Sequence, residues 1–268
     1  MRRKPAVAGY FYTKNPIRLR EQVASMMEKV PRRVDARAIV VPHAGYQYSG
    51  MVAGAVYSRV KIPEKVVLVG PNHTGLGPPV SVMSQGVWET PFGDVPVDEE
   101  LAKAIVGASG FARSDVTAHS AEHSLEVQLP FLKYLREDFS IVPIAMMGGP
   151  YAICQDLARA LATVLAELDG VLMVSSTDMS HYEPQEVAAK KDAKAINRII
   201  ELDGTGLYQV VMEEEISMCG VMGTAAIIEA AKALGSTKGE LVRYMTSGDV
   251  VGDYSQVVGY AGIIVPRG

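Results

Sequence analysis

The sequence predicts an α/β fold: a single domain over residues 1–268, with a mostly parallel central sheet flanked by helices. Three observations predict it. Five short runs are continuously apolar, rich in β-branched residues and bounded by Gly or Pro, as strands covered on both faces are. Helical patterns at the 3.6-residue period alternate with them, which argues for helices layered on a sheet. No repeat, linker or low-complexity segment divides the 268 residues, a length that α/β folds often fill as one unit.

In chain order, the first helical pattern runs from Pro16 to Val30, and Ala38-Ile39-Val40-Val41 is the first buried strand. Val66-Val67-Leu68-Val69 is the second. Pro79 to Val97 alternates in short segments around the turn-prone Phe92-Gly93-Asp94 and reads as a small hairpin excursion at the mouth of the sheet. Asp98 stands where the N-cap of a helix to Val106 belongs. A helix from Glu122 to Leu135 precedes the strand Ser140-Ile141-Val142-Pro143-Ile144, and a helix from Cys154 to Leu168 precedes Val171-Leu172-Met173-Val174. Helices follow from Gln185 to Leu202 and from Gly220 to Leu234, with Gly235 as a C′ glycine. Gly262-Ile263-Ile264-Val265 is the last strand.

Composition narrows the function. A hydrophobic share of 48% and a charged share of 21% are those of an ordinary globular chain, so disorder, collagen, coiled coil and disulfide scaffold are excluded. Against 30 acidic residues there are 26 basic ones, and they cluster only at Arg2-Arg3-Lys4 and Arg32-Arg33, so no nucleic-acid partner is expected. No apolar run is long enough to span a membrane, so none is expected as a partner. Cys154 and Cys219, with no secretory leader ahead of them, read as free thiols of a cytoplasmic protein. There is no Gly-x-x-x-x-Gly-Lys and no Gly-x-Gly-x-x-Gly after a strand, so neither ATP nor NAD is expected, and no Gly-x-Ser-x-Gly elbow supports a serine hydrolase.

The five histidines are His43, His73, His119, His123 and His181, and three follow buried-strand runs. His43 lies just past the first, His73 past the second, and Asp178 and His181 past the strand at 171–174. Strand C-terminal ends of an open α/β sheet meet at one rim, where ligands bind. Cys219 joins them ahead of the helix starting near Gly220, where the helix dipole is expected to lower its pKa. Two imidazoles and a thiolate make a metal-binding trio, and sulfur favours iron, copper or zinc over magnesium or calcium. A lone histidine is more often a packed or surface residue; the threefold repetition of the placement carries the inference. His123 opens a helical pattern and faces the cleft with Glu122 or Glu126 as an orienting partner, or else merely caps a helix packed through Leu125, Leu129 and Leu132. His119 reads as a loop residue, Asp249 as a turn aspartate, Cys154 as inert, and Met179, Met218 and Met222 as gap-fillers.

Ala8-Gly9-Tyr10-Phe11-Tyr12, Pro42-His43-Ala44-Gly45-Tyr46, Gly70-Pro71-Asn72-His73, Glu122-His123-Ser124-Leu125-Glu126, Ser175-Ser176-Thr177-Asp178-Met179-Ser180-His181-Tyr182 and Cys219-Gly220 run in an order that resembles the Memo family over nearly the whole chain. That family is similar in fold to class III extradiol dioxygenases. The resemblance implies His43, His73 and Cys219 as ligands to iron or copper, with Asp178 and His181 completing the pocket and His123 nearby. The dioxygenases use two histidines and a carboxylate; Cys219 takes the carboxylate's place, so ring-cleaving chemistry does not simply transfer.

The leading expectation is a metal-dependent redox protein using Fe(II), with copper or zinc as alternatives. His181 is its general acid or base, Asp178 orients His181, and His123 stands with them as a catalytic residue. One alternative is a non-catalytic module that takes a small molecule, a peptide or a sequestered metal in a groove lined by Tyr10, Tyr12, Tyr46, Tyr48 and Trp88. Another is a zinc hydrolase, since Zn²⁺ accepts two histidines and a cysteine with water in the fourth position. In each metal-binding case affinity is expected to weaken as pH falls through the imidazole range.

Overall fold

Strand β1 (Arg2–Arg3) precedes helix α1 (Pro16–Met26), which Asn15 caps by accepting the backbone N–H groups of Ile17 and Arg18. The computed structural model describes residues Met1–Gly268. Next come β2 (Ala36–Val41), α2 (Tyr46–Arg59), β3 (Lys65–Pro71), β4 (Val80–Val82), β5 (Val87–Trp88) and β6 (Val95–Pro96). The Asp98 carboxylate accepts the N–H of Leu101 and starts α3 (Glu99–Ala108), as its position predicts. The chain continues through β7 (Ala112–Ser114), α4 (Leu129–Leu135), β8 (Ser140–Met146), α5 (Tyr151–Leu165), β9 (Val171–Ser176) and β10 (His181–Glu183). It ends with α6 (Gln185–Ile200), α7 (Gly204–Glu213), α8 (Val221–Ala233), β11 (Glu240–Thr246), α9 (Gly248–Val251) and β12 (Val257–Pro266).

All five expected strands form, and they belong to one mixed sheet in the order β10-β12-β2-β9-β3-β8-β4-β7, with β11 also paired to β12. Parallel pairing holds for its central strands β2, β9, β3 and β8 and again between β4 and β7. The sheet as a whole is mixed, not mostly parallel as the sequence predicts. β12 runs antiparallel to β2, β10 and β11, and β4 antiparallel to β8. The short connection from β11 to β12 can reverse the chain, whereas a parallel return needs a crossover of roughly a dozen residues or more. α8 packs on β3 and β9, α2 packs on β11 and β12, and one apolar cluster takes in Val40, Leu68, Ile144, Val174, Leu157 and Ile227.

Three of the departures from the sequence reading have local reasons. The helix expected from Glu122 starts later: Glu126–Gln128 is a single 3₁₀ turn, and α4 begins at Leu129 with Pro130 at its start, where a missing N–H does no harm. Only part of the 79–97 stretch is a separate hairpin. β5 and β6 pair and are joined by β1 in a small three-stranded sheet, while β4 enters the main sheet. α2 has no apolar stripe to read because it is buried almost all round, with Ser49, Gly50, Ala53, Gly54, Ala55 and Ser58 among its buried positions. Those small residues let α1 lie close: a Cβ on Gly54 would sit 2.2 Å from the Met26 carbonyl oxygen. No helix is long and apolar enough to cross a membrane.

Gly54→Ala should therefore destabilise the protein by about 1–3 kcal/mol, despite alanine's better helix propensity, because the added methyl meets backbone rather than a movable side chain. Denaturant titration of the two proteins checks this, and equal midpoints would show that α1 does not rest on α2 through Gly54.

Candidate metal centre

β2, β9 and β3 are parallel neighbours, so their C-terminal ends share one rim of the sheet. His43 follows β2 by way of Pro42, His73 follows β3, and Asp178 and His181 follow β9. His123 comes from the turn before α4. One ring nitrogen each from His43, His73 and His123 lies within 4.8 Å of the others. The His73 and His123 rings stack with centroids 4.5 Å apart, and the His43 ring meets them edge-on at 5.3 and 5.4 Å.

His73 is oriented by Glu122, which is buried. Its Nδ1 lies 2.9 Å from Glu122 Oε1, and its backbone N–H donates to Oε2. Burial alone would raise the Glu122 carboxyl, but the hydrogen bonds from His73 and Ser124 hold it down at about 2. An ionised carboxylate only accepts, so His73 carries its proton on Nδ1 and leaves the Nε2 lone pair free. Sequence reasoning offered Glu122 or Glu126 as a partner for His123. Glu122 serves His73, with His123 Nδ1 farther off at 3.5 Å. Glu126 lies elsewhere: it pairs with Arg3 and accepts the N–H groups of Ala6 and Val7 and the Tyr12 hydroxyl. It thereby holds down the N-terminal arm, from which Phe11 packs against the His123 ring at 4.9 Å.

His43 is buried, and that burial, aided by the neighbouring His73, pushes its pKa down to about 3. Burial and then His43 bring His123 down to about 4. Burial thus holds both rings neutral below the ordinary imidazole range.

Of the three histidines, Cys219 meets His43. Its Sγ is 3.3 Å from His43 Nε2 and accepts the Asp178 N–H at 3.2 Å. Gly220 makes this approach possible, because a Cβ there would lie 2.5 Å from Thr177 Cβ. The expected low thiol pKa is not found. Burial, followed by the neighbouring Asp178 carboxylate, pushes it up to about 12 and outweighs the helix dipole; a cation beside the sulfur would reverse that balance.

Asp178 is buried, which raises its pKa; Oδ1 accepts the His43 backbone N–H at 2.8 Å, and Oδ2 lies 3.9 Å from His43 Nε2. The orienting contact to His181, expected from Asp178, comes from Ser217 instead. Ser217 Oγ accepts the His181 N–H at 2.7 Å, and its carbonyl accepts from Nδ1 at 2.8 Å. His181 Nε2 is therefore its free nitrogen. Ser217 carried no signal in the sequence beyond its place two residues before Cys219.

A cleft of about 660 Å³ opens over these groups, with Tyr10, Phe11, Tyr48, Tyr182 and Tyr260 among its walls and no lysine or arginine. Of the aromatics expected to line a groove, Tyr10 and Tyr48 do; Tyr12, Tyr46 and Trp88 are core residues, because their rings pack inward. His119 sits in a turn as expected but is buried, edge-on to Trp88. Asp249 accepts the Thr246 N–H, the turn role read from the sequence. Cys154 is buried with its thiol pushed up to about 12, and Met179, Met218 and Met222 belong to the core.

A family model described as Memo-like protein matches residues 3–264. A MEMO1 family protein of Methanopyrus kandleri is 46% identical over 283 residues, covering 100% of both chains. One from Aquifex aeolicus is 49% identical over 264 residues, covering 98% of each. Among solved structures, an uncharacterized protein from Escherichia coli K12 matches with a TM-score of 0.56 at 12% identity, covering 84% of this chain and 98% of that one, a likeness of fold alone.

The neutral, buried imidazoles make the fold acid-sensitive. With His43 and His123 at about 3 and 4 when folded and about 6.5 when unfolded, the unfolded chain binds more protons in between. Stability should fall as pH is lowered from about 6.5 toward 4. Denaturant midpoints across that range measure it, and a flat profile would contradict the burial of a neutral His43.

Proposed function

The chain belongs to the Memo family, and on that premise we propose that its cleft holds one transition-metal ion, with Fe(II) the leading choice and copper or zinc the alternatives, and works as a redox site. The observation that carries this reading is the meeting of three imidazole nitrogens within 4.8 Å at the floor of a 660 Å³ cleft. The donors fit the ion: neutral imidazole beside a thiol suits iron, copper and zinc and is a poor match to magnesium or calcium.

His43 and His73 are the ligands common to every version of the site. Cys219 is the third, as the family resemblance implies. Its 3.3 Å spacing from His43 Nε2 is close to the ~3.6 Å between nitrogen and sulfur donors sharing a tetrahedral ion. His123, within 4.8 Å of both histidines, favours a second reading in which it supplies that third position. When bound, the ion supplies Lewis acidity and, as iron or copper, one-electron chemistry.

The chain's own residues do the rest. His181, held through Nδ1 by Ser217, presents Nε2 to the cleft as a proton acceptor. Asp178, its pKa raised by burial, holds the His43 backbone N–H through Oδ1 and sets Oδ2 3.9 Å from His43 Nε2. The aromatic walls offer apolar surface to a ligand. An extradiol dioxygenase-like reaction is the narrower form of this proposal, with Cys219 in the carboxylate's place. The same aromatic walls favour the second class of function, a binding module without turnover. Oxygen uptake by the Fe(II)-loaded protein across a panel of catechols and thiols separates the two: consumption with any of them supports the redox site, and silence throughout supports the module.

Metal content after anaerobic purification tests the ligands. Wild type should hold one ion per chain, and His43→Ala and His73→Ala should lose it. Cys219→Ser should abolish any thiolate-to-metal charge-transfer band, while His123→Ala keeps it. Glu122→Gln, which removes the charge orienting His73, should weaken binding about 10–100-fold. Full occupancy in His43→Ala and His73→Ala would end the proposal.

A further inference from the structure

We propose that Ser176 and Gln128 are positioning residues that hold His43 in its Nδ1–H tautomer, so that the Nε2 lone pair is the one presented to the cleft. The consequence for metal affinity rests on the reading above; the tautomer itself does not.

The Pro42 carbonyl can only accept, so the Gln128 side-chain atom 2.9 Å from it is the amide nitrogen. That nitrogen's second hydrogen goes to Ser176 Oγ at 2.9 Å, and Gln128 Oε1 accepts the Tyr57 hydroxyl at 3.0 Å. Ser176 has a single hydrogen, and the Ser124 carbonyl, 2.6 Å away, takes it. Toward His43, Ser176 Oγ therefore offers only a lone pair, and His43 Nδ1 at 3.0 Å is the donor. Nε2, left without hydrogen, is then free to accept the weak S–H donor of Cys219 at 3.3 Å.

Each link is closed to water. Tyr57, Ser124, Gln128, Ser176 and His43 are all no more than 2% exposed. Tyr57 is further fixed by stacking on Phe131, with centroids 5.2 Å apart. Reversing the tautomer would set His43 Nδ1 and Ser176 Oγ lone pair to lone pair and leave a buried acceptor unsatisfied, which a buried network resists strongly. His73 has the same tautomer set by a charge; at His43 the group that faces Nδ1 is a neutral hydroxyl.

Long-range ¹H–¹⁵N correlation spectra of the metal-free protein read the tautomer directly. Wild-type His43 should be Nδ1–H. Ser176→Ala should yield a mixture of tautomers, and Ser176→Thr, which keeps the hydroxyl, should restore the single form. Gln128→Glu, which cannot donate to Pro42 or Ser176, should perturb it as well and covers the case in which Ser176→Ala does not fold. Zinc affinity should drop about 10–100-fold in the variants that lose the tautomer. An Nε2–H His43 in wild type, or folded Ser176→Ala and Gln128→Glu that keep the wild-type tautomer, would overturn the proposal. Wild type with the expected tautomer but no zinc affinity would instead refute the metal reading alone.

Discussion

A histidine buried at the end of a parallel strand has to stay neutral and fully hydrogen-bonded, and His43 sets that condition for the rest of the cleft. Its backbone N–H is taken by Asp178, its Nδ1 by Ser176, and its Nε2 lies beside Cys219. Three segments, the ends of β2 and β9 and the turn before α8, are tied together through one ring. Because β2 and β9 are adjacent and parallel, the ties are short and need no long side chains. Glycine completes the fit at Gly220, where any side chain would strike Thr177.

The two cleft histidines on strand ends are held by opposite means. His73, half open to solvent, leans on an ionised Glu122. His43, sealed from solvent, leans on a neutral hydroxyl. A charge is tolerable under the first because it accepts several N–H groups; a second buried charge beside it would raise the cost of ionising both. The N-terminal arm adds the last wall. Glu126 and Arg3 pin residues 6–12 against the 119–126 turn, so that Phe11 covers His123. Removing one partner of that buried pair would leave an uncompensated charge, which is why the arm is a fixed wall of the cleft.

Much of this was legible before the structure. The runs 38–41, 66–69 and 171–174 are apolar on both faces, and that alone located three strand ends and the polar residues just beyond them. His43, His73 and His123 bring ring nitrogens within 4.8 Å of one another, and Cys219 lies beside His43. Partners were harder to read. Glu126 finds Arg3 across more than a hundred residues, and a hydroxyl such as that of Ser176 or Ser217 has no spacing that marks it as an orienting group. The Cys219 thiol was misjudged because position relative to a helix is visible in sequence whereas burial beside Asp178 is not. α2 stayed hidden for a related reason: a helix buried all round loses the one-sided pattern that would reveal it.

The central claim is that two imidazoles from neighbouring strand ends turn Nε2 lone pairs toward one ion. Diffraction from an anaerobically grown crystal, recorded at the iron, copper and zinc edges, tests it most directly. The account predicts a single anomalous peak about 2.1 Å from Nε2 of both His43 and His73. A peak bonded through Nδ1, a peak outside the cleft, or none after metal is supplied would contradict it.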